Sequence, residues 1–122
     1  MKNDLLTNFT QVDSITAHTG TFAAAAVNGA TIDCVAKEGL THFITIRSVA
    51  AGATLDVKEQ YSADGSAWTD EATYILAQIT AAGQYRLDVP HLSGRYQRLV
   101  MTGAVDTMVG DIITITGPGT HN

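Results

Sequence analysis

A single cysteine stands among the 122 residues. No disulfide can close within the chain, and Cys34 cannot by itself begin a thiolate zinc site. Its expected role is that of a small buried hydrophobe. Basic residues are also few: seven Lys and Arg against twelve Asp and Glu leave a formal net charge of −5. Phosphate backbones are held by clustered Lys and Arg, and no such run occurs, which argues against a nucleic-acid partner. No apolar run approaches the ~20 residues of a membrane span. The opening M-K-N-D-L-L-T-N-F-T contains an acid and too short an apolar stretch for a signal peptide. The expectation is a soluble protein made in a cytoplasm. Asn8-Phe9-Thr10 matches a glycosylation acceptor, which counts for little without a secretion signal.

Catalytic patterns are missing too. His18, His42, His91 and His121 are scattered, with no pair at the spacing of a local metal motif. No G-x-S-x-G elbow frames a serine, and no glycine loop precedes a helix to cradle phosphate. Asp64-Gly65-Ser66 offers one carboxylate, far from the six to eight oxygens that calcium takes. Asp70-Glu71 reads as solvated surface. No nucleophile, base and orienting group can be named together, so the sequence predicts no enzyme, no metal and no cofactor.

What is present is alternation. In Thr54 to Trp68, T-L-D-V-K-E-Q-Y-S-A-D-G-S-A-W, residues Leu55, Val57 and Tyr61 share one face while Asp56, Lys58 and Gln60 share the other. Period two marks a strand with one face buried. Glu59 falls on the apolar register, so burial is expected to stop or the strand to turn there. Asp64 and Gly65 supply turn chemistry, since Asp bonds its own backbone and Gly tolerates positive φ. Trp68 is then expected to close the core from a returning strand.

Taken in order, residues 1–18 read as an arm in which Leu5, Leu6 and Phe9 follow no clean period. Phe22 to Val27 reads as a strand of small residues, and Asn28-Gly29 as a hairpin turn leading into Ala30–Val35. Lys37-Glu38-Gly39 reads as a loop. His42 to Val49 is a central strand with Ile44 and Ile46 inward. Tyr74 to Ile79 is a short apolar strand, and Gln84 to Val89 alternates Tyr85, Leu87 and Val89 against polar neighbours. Pro90 ends that strand by removing a ladder donor. Arg95 to Thr102 follows, with Tyr96, Arg98 and Val100 on one face and Gln97, Leu99 and Met101 on the other; apolar atoms on both faces imply cover on both sides or a switch between sheets. Gly103 to Gly110 is a loop, and Asp111 to Thr116 the last strand. About eight short strands at even spacing, without a convincing helix, imply an all-β sandwich or jelly roll. The expected organisation is an arm (1–18), one sandwich (19–117) and a tail (118–122).

Q-Y-S-A-D-G-S-A-W-T-D (Gln60–Asp70), G-Q-Y-R-L-D-V-P (Gly83–Pro90) and S-G-R-Y-Q-R-L-V-M-T-G (Ser93–Gly103) occur in order, preceded by G-A-T-I-D-C-V and H-F-I-T-I-R-S-V. This ordered set, from Thr19 to Gly117, resembles the small jelly-roll cement or decoration proteins of tailed-bacteriophage capsids. The resemblance implies a homo-oligomer, with a trimer favoured, on the capsid surface of a virion, with the major capsid protein as partner. Trp68, Asp64, Gly65, Tyr96 and Arg98 are then structural anchors. The arm residues Leu5, Leu6 and Phe9, which have no evident place in the sandwich, are candidate capsid or subunit contacts. Tyr-Ser-x-Asp-Gly-x-x-Trp with Arg-Tyr-x-Arg is also similar to discoidin-like carbohydrate-binding domains. Another phage role, in the tail or the head-to-tail junction, is a further alternative.

Overall fold

The computed structural model describes residues 13–118. These form nine strands: β1 (Asp13–Phe22), β2 (Ala26–Asn28), β3 (Ile32–Asp33), β4 (Lys37–Val49), β5 (Thr54–Ser62), β6 (Thr69–Asp70), β7 (Gly83–Val89), β8 (Tyr96–Ala104) and β9 (Met108–Pro118). They lie in two antiparallel sheets, in the orders β1-β9-β4-β7 and β2-β8-β5-β6, with β3 also on β8. The chain passes back and forth between the sheets, which is the winding of a jelly roll. The fold is the jelly-roll-like β-sandwich that the alternation predicted.

Inward residues of both sheets fill the space between them. Leu40, Ile44 and Ile46 of β4 and Leu87 and Val89 of β7 meet Leu55 and Val57 of β5 and Leu99 and Met101 of β8. Ile44, Ile46, Leu87 and Val89 stand where the period placed them. Cys34 is buried, and burial pushes its thiol up to about 12.

Several local expectations are corrected. Burial does not stop at Glu59, which is fully enclosed and in phase with Leu55 and Val57. Residues 13–18, assigned to the arm, are the first part of β1, paired with β9. Leu5, Leu6 and Phe9 lie outside the described residues, as does the tail from residue 119 on. Asn28-Gly29 is no hairpin. A type I′ turn needs positive φ at both central residues, and neither has it. Instead, β2 and β3 both run along β8, and the Gly29 amide donates to the Leu99 carbonyl at 2.7 Å. Lys37-Glu38-Gly39 belongs to β4, with an irregular register before Leu40. Tyr74–Ile79 forms no strand; only Ile79 bridges to Leu55, through two backbone hydrogen bonds of 2.9 Å. The last strand begins earlier than expected, at Met108. There a bulge brings Gly110 so close that a Cβ would sit 2.2 Å from the Thr45 carbonyl oxygen, which only glycine permits.

Candidate functional site

The turn after β5 is built as its residues dictate. The Asp64 carboxylate accepts hydrogen bonds from the Ser66 and Ala67 amides at 2.8 and 3.0 Å and from the Ser62 hydroxyl. Those donors, the Ala67 amide foremost, hold its pKa below the usual carboxylate range. Gly65 takes φ +80° and lies against the Tyr96 ring. Trp68 does not close the core. It is half-buried outside the inter-sheet cluster, and the Arg98 guanidinium lies 4.2 Å from its ring centroid. Arg98 also donates to Gln60, whose amide donates in turn to Asp70. The sequence-derived anchors Trp68, Asp64, Gly65, Tyr96 and Arg98 thus gather at one end of the second sheet, where they fix a turn and a surface strip.

Between the sheets lies a polar cluster that sequence spacing did not reveal. The His42 Nδ1 is 2.7 Å from the Thr114 Oγ1, and its Nε2 is 2.7 Å from the Glu59 Oε1. The Gln97 side-chain amide donates to the other Glu59 oxygen at 2.5 Å. His42 and Thr114 belong to the first sheet, Glu59 and Gln97 to the second, so the cluster ties the two layers together. Hydroxyl, imidazole and carboxylate stand in the order of a nucleophile, base and orienting acid. All four side chains are fully enclosed, and a substrate has no path to them. The arrangement acts as an inter-sheet clasp. The sequence signal for it was Glu59 on an apolar register and His42 in phase with Ile44.

The outward face of the first sheet is the more telling surface. On an antiparallel sheet with one solvated side, outward positions are ordinarily polar. Here the two central strands depart from that rule at three positions, although Leu40, Ile44, Ile46 and Ile112 point inward as expected. On β9, Thr114 and Thr116 point inward and are buried, while Ile113 and Ile115 point outward. On the adjoining β4, His42 is inside and Phe43 outside, with 42% of Phe43 exposed. Phe43 pairs with Ile113 and Thr41 with Ile115, so Phe43, Ile113 and Ile115 form one apolar centre. Its rim is polar: Ser14 and Thr16 on β1, and Thr41, Thr45, Gln84, Arg86 and Asp88 on β4 and β7. Arg86 lies 5.6 Å from the Phe43 ring centroid and donates to Asp88, which also accepts from Thr41. Arg47 pairs with Asp111, which accepts from Thr19 at 2.7 Å. Arg86 first, and Thr19 with Arg47, hold the Asp88 and Asp111 pKa values below the usual carboxylate range. A cleft of about 650 Å³, lined in part by Leu40, Thr41, Asp88, Pro90, His91 and Ile115, continues from this face. An apolar centre inside a polar rim is the anatomy of a protein–protein contact.

A scan against protein-family models finds no match, and a search of curated proteins finds none either. Solved structures share the fold. The SPBc2 prophage-derived protein YomS superposes with a TM-score of 0.60 at 12% identity, covering 86% of this chain and 91% of that one. The infectious bursal disease virus Gx strain structure gives 0.59 at 11% identity, covering 92% of this chain and 34% of that one. The VP2 subviral particle of the same virus gives 0.54 at 16% identity, covering 88% and 32%. The chain therefore spans almost all of the prophage protein and about a third of the viral chains.

Proposed function

We propose that this protein is a structural component of a bacteriophage virion, a cement or decoration protein that binds and stabilises the assembled capsid lattice. The observation that carries this reading is the outer face of the first sheet, where Phe43, Ile113 and Ile115 make an apolar centre inside a polar rim. The likeness of the sandwich to prophage and viral-particle proteins supplies its setting. The work is non-covalent. Binding the assembled lattice and not its free subunits shifts assembly by mass action, and no catalytic group is required. The seven basic residues against twelve acidic ones favour protein over nucleic acid as the partner. For the sugar-binding alternative, the Arg98 guanidinium covers one face of the part-exposed Trp68 ring and leaves the other for stacking. Mass spectrometry of purified particles tests the proposal: the chain should appear as a stoichiometric component. Particles assembled without it should lose their contents at lower temperature. Its absence from intact particles would overturn the reading.

A further inference from the structure

We infer that the open edge of β7 is a strand-pairing site, which takes up an extended segment of a different protein as an added strand of the first sheet. The site lies beside the outer face and not on it, and it rests on the virion reading only for where the partner is found.

An edge strand presents a row of unpaired N–H and C=O groups, which proteins ordinarily blunt. In the second sheet the outer strands β2, β3 and β6 are only two or three residues long. In the first sheet β1 is interrupted by a register shift between Thr16 and His18. Strand β7 has neither device. Its seven residues pair with β4 in unbroken register, and among the described residues no strand lies on its other side. It holds no lysine or proline, and its two charges, Arg86 and Asp88, are paired with each other.

Two observations fix the direction of its backbone. A Cβ on Gly39 of β4 would stand 2.9 Å from the Val89 carbonyl oxygen, so that oxygen faces β4. Leu87 and Val89 are 4% and 0% exposed, which leaves almost none of their backbone in water. Antiparallel strands turn the backbone groups of alternate residues to opposite sides. Tyr85, Leu87 and Val89 therefore bond β4, while Gln84, Arg86 and Asp88, all exposed, turn their N–H and C=O groups to the open side. Another extended backbone offers donors and acceptors at that two-residue spacing. The edge also selects against its own copy. Two β7 edges joined through all three residues set Arg86 opposite Arg86, and like charges directly opposite are destabilising. Shifted registers avoid that contact but lose one of the three residues. The partner strand instead carries an uncharged or acidic residue opposite Arg86 and apolar residues beside Tyr85 and Leu87. Those apolar residues cover Tyr85, which is part-exposed and packed against the core.

Arg86→Pro removes an amide that faces outward and leaves the ladder to β4 intact, whereas Arg86→Ala removes only the side chain. The pair separates strand addition from side-chain contact. Both variants are compared with the unaltered full chain for retention on purified particles, with circular dichroism reporting folding. Arg86→Pro should weaken retention by about tenfold or more, and Arg86→Ala by about threefold at most. Gln84→Pro gives the same comparison if Arg86→Pro misfolds. In the unaltered chain, exchange of the Gln84, Arg86 and Asp88 amides should slow on particles relative to the free protein. Unchanged retention of a folded proline variant, or outer amides that stay unprotected on particles, overturns the inference while the virion reading stands. Self-association that sedimentation velocity detects and Arg86→Pro abolishes also overturns it, because a second copy then fills the edge. If the chain is absent from particles, the virion reading falls and the edge is tested alone. A peptide of alternating valine and threonine, seven residues long like β7, should then shift the Gln84 and Asp88 amide resonances of the unaltered chain at millimolar concentration, and not those of Arg86→Pro. No shift in the unaltered chain overturns the inference independently.

Discussion

His42 and Glu59 are single residues on which both sheets depend. Replacing His42 with Ala leaves one enclosed Glu59 oxygen and the Thr114 hydroxyl without their partner, with Gln97 still on the other oxygen, and stranding buried polar groups in this way costs about 1–3 kcal/mol each. Glu59→Gln keeps the shape and part of the hydrogen bonding, so its loss should be visibly smaller; urea unfolding at constant slope measures both. Trp68 belongs to a milder class. Half-buried and stacked on Arg98, it should cost about 1–2 kcal/mol on truncation to Ala, from partial burial and the cation–π contact, and not the larger loss of a core aromatic. Cys34 makes a chemical prediction. Its thiol is pushed up to about 12 by burial, so at pH 8 it stays protonated and out of reach. Ellman's reagent should leave the folded protein unlabelled and react fully once urea unfolds it.

At the scale of elements, the β5 turn and strand β9 teach opposite lessons. The turn obeys local rules. Gly65 holds φ +80°, and a Cβ there would meet the Tyr96 ring only at ordinary contact distance, 3.6 Å, so Gly65→Ala should cost about 1 kcal/mol, mainly from backbone strain. Asp64 titrates below its unfolded value because the Ala67 and Ser66 amides and the Ser62 hydroxyl bond its ionised form. The turn is therefore stabilised above the ordinary carboxylate pKa, and that contribution is lost as pH falls through the lower folded value. The protection of the Ser66 and Ala67 amides, taken as NMR exchange relative to the intrinsic rate at each pH, should fall as Asp64 is protonated in acid. Asp64→Ala should remove the dependence. Strand β9 breaks the local rule beyond Ile112, which is buried, by placing Thr114 and Thr116 inside and Ile113 and Ile115 outside. Thr114 earns its buried place by meeting His42, whereas Ile113 and Ile115 acquire a purpose only if the face is covered.

For the whole molecule, the boundary of the sandwich decides which truncations are harmless. Strand β1 begins at Asp13, and Asp13, Ser14 and Ile15 pair with Thr116, Ile115 and Thr114. Removing residues 1–12 should leave the circular dichroism spectrum unchanged and the melting temperature within a few degrees. Removing residues 1–15 takes away three ladder positions beside the apolar centre and should lower the melting temperature further. If residues 1–12 contribute to capsid binding, the shorter truncation will weaken retention on particles while the domain stays folded.

Much of this architecture was determined by the sequence itself. The period of two in β5, β7 and β8, and the Asp64-Gly65 turn, are local, because side-chain direction and turn backbone depend on neighbours along the chain. Those features were enough to yield an all-β sandwich and most of its core positions. Strand partners were not legible in the same way. Asn28-Gly29 carries a strong turn signal, yet β8 offered two stretches of backbone to pair with, and the chain ran on along it. Lys37–Gly39 and residues 13–18 became strand because β9 lay beside them. Glu59 and His42 looked misplaced until the two sheets were laid together, since residues 17 apart in sequence meet only across the layer. The face of Phe43, Ile113 and Ile115 was hidden for the same reason. Whether an isoleucine on an alternating strand points in or out depends on which side the other sheet packs, and only the tertiary structure decides that.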